Sequence, residues 1–209
     1  MLPHVWWVGR DLATENLIPG ASVYGERIVD NLRIWDPHRS KLCAALLKNI
    51  KPKIEEDFLV LYLGVASGTT ASHLSDIIRT GVIFGVDFAP RVIRDFYFLC
   101  EQRRNLVPIL GNANNPEEYA FVPKVDFLYQ DVAQPNQSKI LVKNAEFFLR
   151  SRGYAMFMIK ARSINVTAKP RKIYAREIKF LQDSGFEILD SRDLRPFERD
   201  HMALLLRWQ

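Results

Sequence analysis

The sequence is poor in cysteine and lacks both a signal-peptide pattern and a long apolar run. Its 209 residues include two cysteines, Cys43 and Cys100, which sit among Leu, Ala and Phe residues in helical patterns. Two cysteines exclude a disulfide framework, so we expect reduced thiols in the core. No apolar run is long enough to cross a bilayer. We therefore expect a soluble, cytoplasmic protein with no membrane partner.

The composition also lacks any His/Cys group with the spacing of a metal site, so no metal is predicted. Hydrophobic residues make up 48% of the chain, which suffices for the core of one main domain. The net charge of +5 is modest, but basic residues crowd the C-terminal part, where a polyanion could lie beside a cleft. They are Lys160, Arg162, Lys169, Arg171, Lys172, Arg176, Lys179, Arg192, Arg195, Arg199 and Arg207.

A glycine turn between two apolar runs carries the clearest chemical signal. The run 59–63 ends in a turn that holds Gly64 and Gly68. A helical pattern follows, and the next apolar run ends at Asp87. This strand–turn–helix–strand order, with an acid about 20 residues beyond the turn, predicts a site for an adenosine-bearing ligand at the carboxyl ends of the strands.

The glycine spacing separates two classes of adenosine ligand. Dinucleotide sites use G-x-G-x-x-G, whereas here Gly64 and Gly68 are followed by Thr69 and Thr70. A looser loop of this kind suits the amino acid tail and ribose of S-adenosylmethionine better than a pyrophosphate. The spacing therefore favours a methyltransferase with Gly64 in its cofactor site. A nicotinamide oxidoreductase and a chance glycine turn are the alternatives.

Apolar runs alternate with helical patterns through residues 36–209, and this order predicts an α/β fold. We expect a Rossmann-like class I methyltransferase domain with a seven-stranded, mostly parallel sheet. A short helix-free connection makes the last strand antiparallel. Asp36 and Pro37 are predicted to cap the first helix.

Residues 1–35 predict a small N-terminal β appendage. Strands are expected at 5–8 and 22–24, and a hairpin is expected around Asp30 and Asn31.

Four polar residues interrupt or end apolar elements of the main domain: Lys41, Asp131, Lys160 and His201. The carboxyl ends of parallel strands face the ligand, and an antiparallel last strand begins at that same edge. Two lysines, an aspartate and a histidine suit methyl transfer to a ribose hydroxyl, whose proton must leave as the methyl arrives. A lysine beside another cation in a partly desolvated site gives up its proton more readily. We predict Lys160 in this role, oriented by Asp131.

Several stretches match one known family in order along nearly the whole chain. They are Tyr24-Gly25-Glu26-Arg27, Trp35 with Arg39-Ser40-Lys41-Leu42, Tyr62-Leu63-Gly64 with Gly68-Thr69-Thr70, Phe88-Ala89-Pro90-Arg91, Asp131-Val132-Ala133-Gln134-Pro135, Ile159-Lys160-Ala161-Arg162-Ser163 and Glu198-Arg199-Asp200-His201. On these residues the chain resembles fibrillarin, the ribose methyltransferase family of box C/D ribonucleoproteins.

The resemblance implies site residues, a substrate and partners. Its catalytic set falls on Lys41, Asp131, Lys160 and His201. Its S-adenosylmethionine contacts fall on Thr69, Thr70, Asp87, Phe88, Asn112, Ala113, Asp131 and Gln134. It implies 2′-O-methylation of ribosomal and transfer RNA, guided by a box C/D RNA, beside a Nop-domain scaffold and a kink-turn-binding protein. The Gly/Arg-rich arm of eukaryotic fibrillarins is missing, so an archaeal source is expected.

Three positions depart from the family pattern and keep other readings open. Asp87 stands where Glu is usual, and Asn112 and Asn165 stand where Asp is usual. Asp87 and Asn112 leave a non-catalytic scaffold subunit with a degenerate pocket as an alternative. A base methyltransferase is another, although 131–134 is not the Asp/Asn-Pro-Pro-aromatic pattern of amino-group methylators and neither cysteine is placed at the rim.

Overall fold

Two sheets arise from the patterns along residues 2–209, which are the residues that the computed structural model describes. The strands are β1 (Val5–Val8), β2 (Asp11–Glu15), β3 (Ile28–Val29), β4 (Leu32–Ile34), β5 (Leu59–Leu63), β6 (Val82–Asp87), β7 (Leu106–Leu110), β8 (Val125–Gln130), β9 (Leu149–Lys160), β10 (Phe186–Asp193) and β11 (His201–Trp208). The helices are α1 (Lys41–Leu47), α2 (Thr69–Ile77), α3 (Pro90–Gln102), α4 (Gln137–Phe148), α5 (Ala161–Ile164) and α6 (Pro170–Asp183), with a 3-10 turn at Pro116–Tyr119.

The main sheet has seven strands in the order β10-β11-β9-β8-β5-β6-β7. The pairs β5–β6, β5–β8, β6–β7 and β8–β9 are parallel, and β11 runs antiparallel to both of its neighbours. The predicted α/β class, strand number and antiparallel last strand are therefore confirmed. The first residue of β11, His201, lies opposite the last residue of β9, Lys160.

Helices cover both faces of this sheet. Alternate residues of β5 point to opposite sides, so Val60 and Tyr62 belong to one core cluster and Leu61 and Leu63 to the other. Because both faces are buried, the strands read as apolar runs without alternation. Cys43 is buried and Cys100 is half-buried, both as free thiols, and burial raises the pKa of Cys100 to about 12. No helix among residues 2–209 is long and apolar enough to cross a bilayer.

The N-terminal sheet has the order β1-β2-β4-β3, and one of its predicted strands is wrong. The strand at 5–8 and the hairpin between β3 and β4 are present. Residues 22–24 are not a strand, because the N–H groups of Val23 and Tyr24 donate to the carboxylate of Glu26. The strand β2 was not predicted, because three consecutive residues of it are buried and it lacks the alternation of buried and exposed residues that marks a half-buried strand.

The first helix of the main domain starts later than predicted. Asp36 accepts a hydrogen bond from the N–H of His38 and shapes a turn rather than a helix cap. The N-cap is Ser40, whose hydroxyl accepts from the N–H of Cys43 at 3.4 Å. Lys41 therefore becomes the first residue of α1.

A buried ion cluster joins the N-terminal sheet to the main domain. Asp76 on α2 accepts hydrogen bonds from Arg33 on β4 and from Arg103 after α3, both at 2.7 Å. It also accepts from the hydroxyl of Thr14 on β2 at 2.6 Å. The side chain of Arg33 also pairs with Glu26 at 2.6 Å, so two acids face two guanidinium groups away from water. The domain boundary at residue 35 stays a prediction, and this cluster supports an appendage that folds with residues 36–209.

We predict that Asp76→Asn strongly destabilises the protein. The change keeps the shape of the side chain but leaves two buried guanidinium groups with too little negative charge. Breaking a buried pair costs about 3–5 kcal/mol of unfolding free energy, measurable by urea denaturation. Asp183→Asn is the matched control, because its pair with Lys179 is exposed on both sides and such pairs contribute about 0.5 kcal/mol or less. A loss at Asp76 no larger than the loss at Asp183 would contradict the prediction.

Candidate functional site

The turn after β5 depends on two glycines with left-handed backbone. Gly64 has a φ of +79°, and a Cβ there would lie 2.6 Å from the carbonyl oxygen of Asp131. Gly68 has a φ of +92°, and a Cβ there would lie 2.6 Å from the ring of Phe96. Glycine at 64 thus lets the β5 turn lie against the end of β8, and glycine at 68 lets the turn lie against α3. Helix α2 begins directly after the turn, at Thr69.

A cavity of about 300 Å³ opens at the carboxyl ends of β5, β6, β7 and β8. Seven of the nine predicted cofactor-binding residues line it, namely Gly64, Asp87, Phe88, Asn112, Ala113, Asp131 and Gln134. Thr69 and Thr70 are not among the lining residues, and the hydroxyl of buried Thr70 donates to Ser40 at 3.0 Å. A larger cleft of about 810 Å³ beside the N-terminal sheet contains none of the predicted site residues.

The carboxylate of Asp87 is held in a fixed orientation at the end of β6. One oxygen accepts the N–H of Ala66 at 3.1 Å, and the other accepts the N–H of Ala89 at 3.0 Å. Each oxygen keeps a further lone pair for a ligand hydroxyl. Ala66, which sequence reasoning missed, also lines the cavity, and beside it the ring of Phe88 is 63% exposed.

Both asparagines that replace family aspartates bond within their own turns. The side-chain oxygen of Asn112 accepts from the N–H of Asn114 at 3.0 Å. The side-chain oxygen of Asn165 accepts from the N–H groups of Thr167 and Ala168, both at 2.9 Å. The neutral amide oxygen thus supports each turn without needing a charge.

Lys41 and Asp131 form an ion pair at the edge of the cavity. The Nζ of Lys41 lies 2.8 Å from an Asp131 carboxylate oxygen, and each side chain is about one-fifth exposed. Sequence reasoning expected Asp131 to orient Lys160, whereas the structure brings Lys41 to this carboxylate instead. Asp131 still belongs to both sets, because it also lines the cavity.

His201 presents an unpaired nitrogen next to Lys160. Its Nδ1 donates to the carbonyl of Arg199 at 2.6 Å, so the neutral ring carries its lone pair on Nε2. That Nε2 is buried without a hydrogen-bond partner among residues 2–209. Burial lowers the pKa of His201, and the charge of Lys41 lowers it further, against the opposing carbonyl of Arg199. The charge of Asp131 acts in the opposite direction and favours the protonated ring. Asp131, which follows β8, pairs with Lys41, and Lys160 ends the neighbouring strand β9 opposite His201, so the four predicted catalytic residues lie along one edge of the sheet.

The basic residues of α6 fall into two groups. Lys169, Arg171 and Lys172 are exposed around the start of the helix, which follows the carboxyl end of β9. Farther along, Arg176 pairs with Glu177 and Lys179 pairs with Asp183. The start of α6 therefore offers three exposed cations to a polyanion near the carboxyl end of β9.

Gln137, the first residue of α4, is a buried polar residue that sequence reasoning missed. Its side chain contacts the backbone of Lys160, and the spacing of the motifs gives no sign of this. No group of His, Cys, Asp and Glu within residues 2–209 is arranged to hold a metal ion.

Comparison with known proteins relates this geometry to one family. Residues 4–209 match the family model described as Fibrillarin. A Methanococcus maripaludis protein named "Fibrillarin-like rRNA/tRNA 2'-O-methyltransferase" is 49% identical over 206 residues, 96% of this chain and 90% of that protein. An Aeropyrum pernix fibrillarin structure with natively bound S-adenosyl-L-methionine is 53% identical, with a TM-score of 0.85 over 94% of this chain and 88% of that chain. A fibrillarin/Nop5p complex structure is 40% identical, with a TM-score of 0.96 over 100% of this chain and 99% of that chain.

We predict that His201→Asn reduces the loss of stability on acidification. The folded pKa of His201 lies below its ordinary value of 6.5, so the unfolded chain binds this proton more readily. The unfolding free energy therefore falls as the pH drops below about 6.5, by at most about 1.4 kcal/mol per pH unit for this group. Urea denaturation of both proteins from pH 7.5 to pH 5.5 measures the difference. Parallel plots of unfolding free energy against pH for the two proteins would show that His201 does not contribute to the loss of stability on acidification.

Proposed function

This chain belongs to the fibrillarin family, and we infer that it transfers a methyl group from S-adenosylmethionine to the ribose 2′-hydroxyl of ribosomal and transfer RNA. One observation carries the inference: Asp131 lines the ligand cavity and pairs with Lys41, beside the Lys160–His201 pair. A methyl donor in the cavity and a hydroxyl at the four polar residues would therefore meet at one edge of the sheet.

The enzyme works with a Nop-domain scaffold protein, as the fibrillarin/Nop5p complex indicates for the family. We propose in addition that a box C/D guide RNA selects the methylated nucleotide and that a kink-turn-binding protein completes the particle. The cytoplasm of an archaeal cell is the proposed location. The exposed Lys169, Arg171 and Lys172 support an RNA substrate that extends past the start of α6.

The cavity suits S-adenosylmethionine on the chemistry of its donors and acceptors. The turn at Gly64 has no room for a Cβ, so backbone can approach the ligand closely. The oriented carboxylate of Asp87 would accept hydrogen bonds from the ribose hydroxyls of the cofactor. The exposed ring of Phe88 would contact the adenine base. Asn112 and Gln134 line the remaining wall. S-adenosylmethionine supplies an electrophilic methyl group when it is bound.

The four polar residues divide the work on the substrate hydroxyl. As the free amine, Nζ of Lys160 would take the proton from the 2′-hydroxyl as the oxygen accepts the methyl group, and S-adenosylhomocysteine would be the other product. The positive charge of Lys41, held by Asp131 at 2.8 Å, favours the developing negative charge on that oxygen. Nε2 of His201 is an acceptor without a partner in residues 2–209. It would hold the substrate through a different hydrogen-bond donor, because the single hydrogen of the 2′-hydroxyl is directed at Lys160.

The alternative hypothesis, that this chain is a non-catalytic scaffold subunit, loses its main support. It rested on Asp87 and Asn112, but both side chains are accommodated by hydrogen bonds to backbone N–H groups and still line the cavity. A pocket that keeps its acid oriented and its turn glycines unobstructed is not degenerate.

We predict that Asp87→Ala weakens binding of S-adenosylmethionine. A charged hydrogen bond is worth about 1.5–3 kcal/mol, and isothermal titration calorimetry measures its loss. Asp95→Ala is the control, because Asp95 lies on α3 with its side chain 58% exposed and outside the cavity. Equal affinities of the Asp87 variant and the parent would overturn the placement of the ribose.

We predict that Lys160→Ala slows methylation on the order of a hundredfold or more, the usual worth of a positioned acid–base group. Single-turnover methylation by the assembled particle at saturating cofactor measures the rate, and cofactor affinity should stay near the parental value. Lys124→Ala is the matched control, since Lys124 precedes β8 at the opposite edge of the sheet. A rate for the Lys160→Ala variant within threefold of the parental rate would refute the assigned role.

We predict that omitting the guide RNA abolishes site-specific methylation, and the same single-turnover assay without guide RNA tests this proposed partner.

A further inference from the structure

The end of β9 extends beyond its parallel neighbour. The ladder between β8 and β9 ends at the pair Gln130–Phe157, whereas β9 continues to Lys160. On its other side, Lys160 is opposite His201 of β11. Within a strand, the N–H and C=O of one residue point to the same side. The two backbone groups of Lys160 that face β8 therefore have no strand to pair with.

The side chain of Gln137 takes the place of the missing strand. Its Oε1 accepts the N–H of Lys160 at 2.8 Å, and its Nε2 donates to the C=O of Lys160 at 3.2 Å. The same Nε2 donates to the carbonyl of Gln134 at 2.9 Å. A carboxamide carries the donor and the acceptor of a peptide group, so it can close this ladder where the backbone of β8 has ended.

A second buried glutamine connects this contact to β8, the strand that Asp131 directly follows. Nε2 of Gln130, the last residue of β8, donates to the backbone carbonyl of Gln137 at 2.7 Å. Both glutamine side chains are fully shielded from solvent. Through them, the end of β8, the cofactor loop at Gln134, the start of α4 and the end of β9 are held together.

We propose that Gln137 is a positioning residue for methyl transfer, which acts by fixing the backbone of Lys160. The proposal rests on the proposed role of Lys160. A strand end without hydrogen-bond partners opens locally at low cost, and Nζ would then sample positions away from the substrate hydroxyl. A misplacement of about 1 Å can cost on the order of a hundredfold in rate, so a backbone contact at this point controls catalysis without touching substrate.

Gln137→Leu tests the proposal, because it keeps the volume and removes both contacts to Lys160. We expect single-turnover methylation at saturating cofactor to fall about tenfold or more. Asn105→Leu is the matched control: Asn105 is also a buried amide that bonds backbone carbonyls, those of Ser75 and Ile78, but it precedes β7 at the opposite edge. The midpoint of thermal unfolding should fall by a similar amount in Asn105→Leu and Gln137→Leu. The methylation rate of the folded Asn105→Leu protein should stay unchanged.

The double variant Gln137→Leu/Lys160→Ala separates positioning from general loosening of the site. If Gln137 acts through Lys160, its replacement slows the Lys160→Ala protein no further. Two results overturn the proposal while the role of Lys160 stands. One is that Gln137→Leu slows the Lys160→Ala protein by the same factor as it slows the parent. The other is that the methylation rate of Gln137→Leu alone lies within threefold of the parental rate. A Lys160→Ala rate near the parental value overturns the assigned role of Lys160, and this proposal with it. Should the Leu variant not fold, Gln137→Glu, which keeps only the acceptor for the Lys160 N–H, is measured in both backgrounds.

Discussion

The buried carboxylate of Asp76 is the constraint on which the arrangement of this protein depends. Two guanidinium groups and one hydroxyl converge on it from β2, β4 and the end of α3. A charge without solvent is tolerated only when its partners are in place, so these elements have a single favourable arrangement around α2. The helix that Asp76 holds is the one that starts at the cofactor turn. The N-terminal sheet thereby supports the site although it contributes none of its proposed ligand contacts.

The same helix is also held by a neutral histidine. His73 stacks on Trp35 with ring centroids 4.8 Å apart and bonds the hydroxyls of Thr14 and Tyr24. Burial keeps the pKa of His73 well below its ordinary value, and the nearby guanidinium groups act in the same direction. A protonated ring here would add a third cation to the arginines. The cluster therefore works only with an uncharged imidazole.

Side chains replace backbone where strand pairing ends at the active edge. Gln137 pairs with the N–H and C=O of Lys160 beyond the last residue of β8, and Asp87 takes the N–H groups of Ala66 and Ala89 beyond β6. Each contact satisfies backbone groups at a point where strand pairing has ended. At the carboxyl ends of these strands, polar side chains thus supply hydrogen bonds that strand pairing does not.

Local pattern alone determined much of this protein. The run 59–63, the glycine turn and Asp87 were sufficient to predict the βαβ unit and its ligand edge, because periodicity and left-handed glycine geometry are properties of neighbouring residues. The four proposed catalytic residues could be singled out for the same reason, since each ends or interrupts an apolar element. Tertiary structure decided what those side chains contact. The Lys41–Asp131 pair joins residues far apart in sequence, β2 hides its alternation because both its faces are buried, and the amide of Gln137 finds Lys160 only because β8 ends before β9. Pairings of this kind depend on where strands stop in space, and no spacing along the chain encodes that distance.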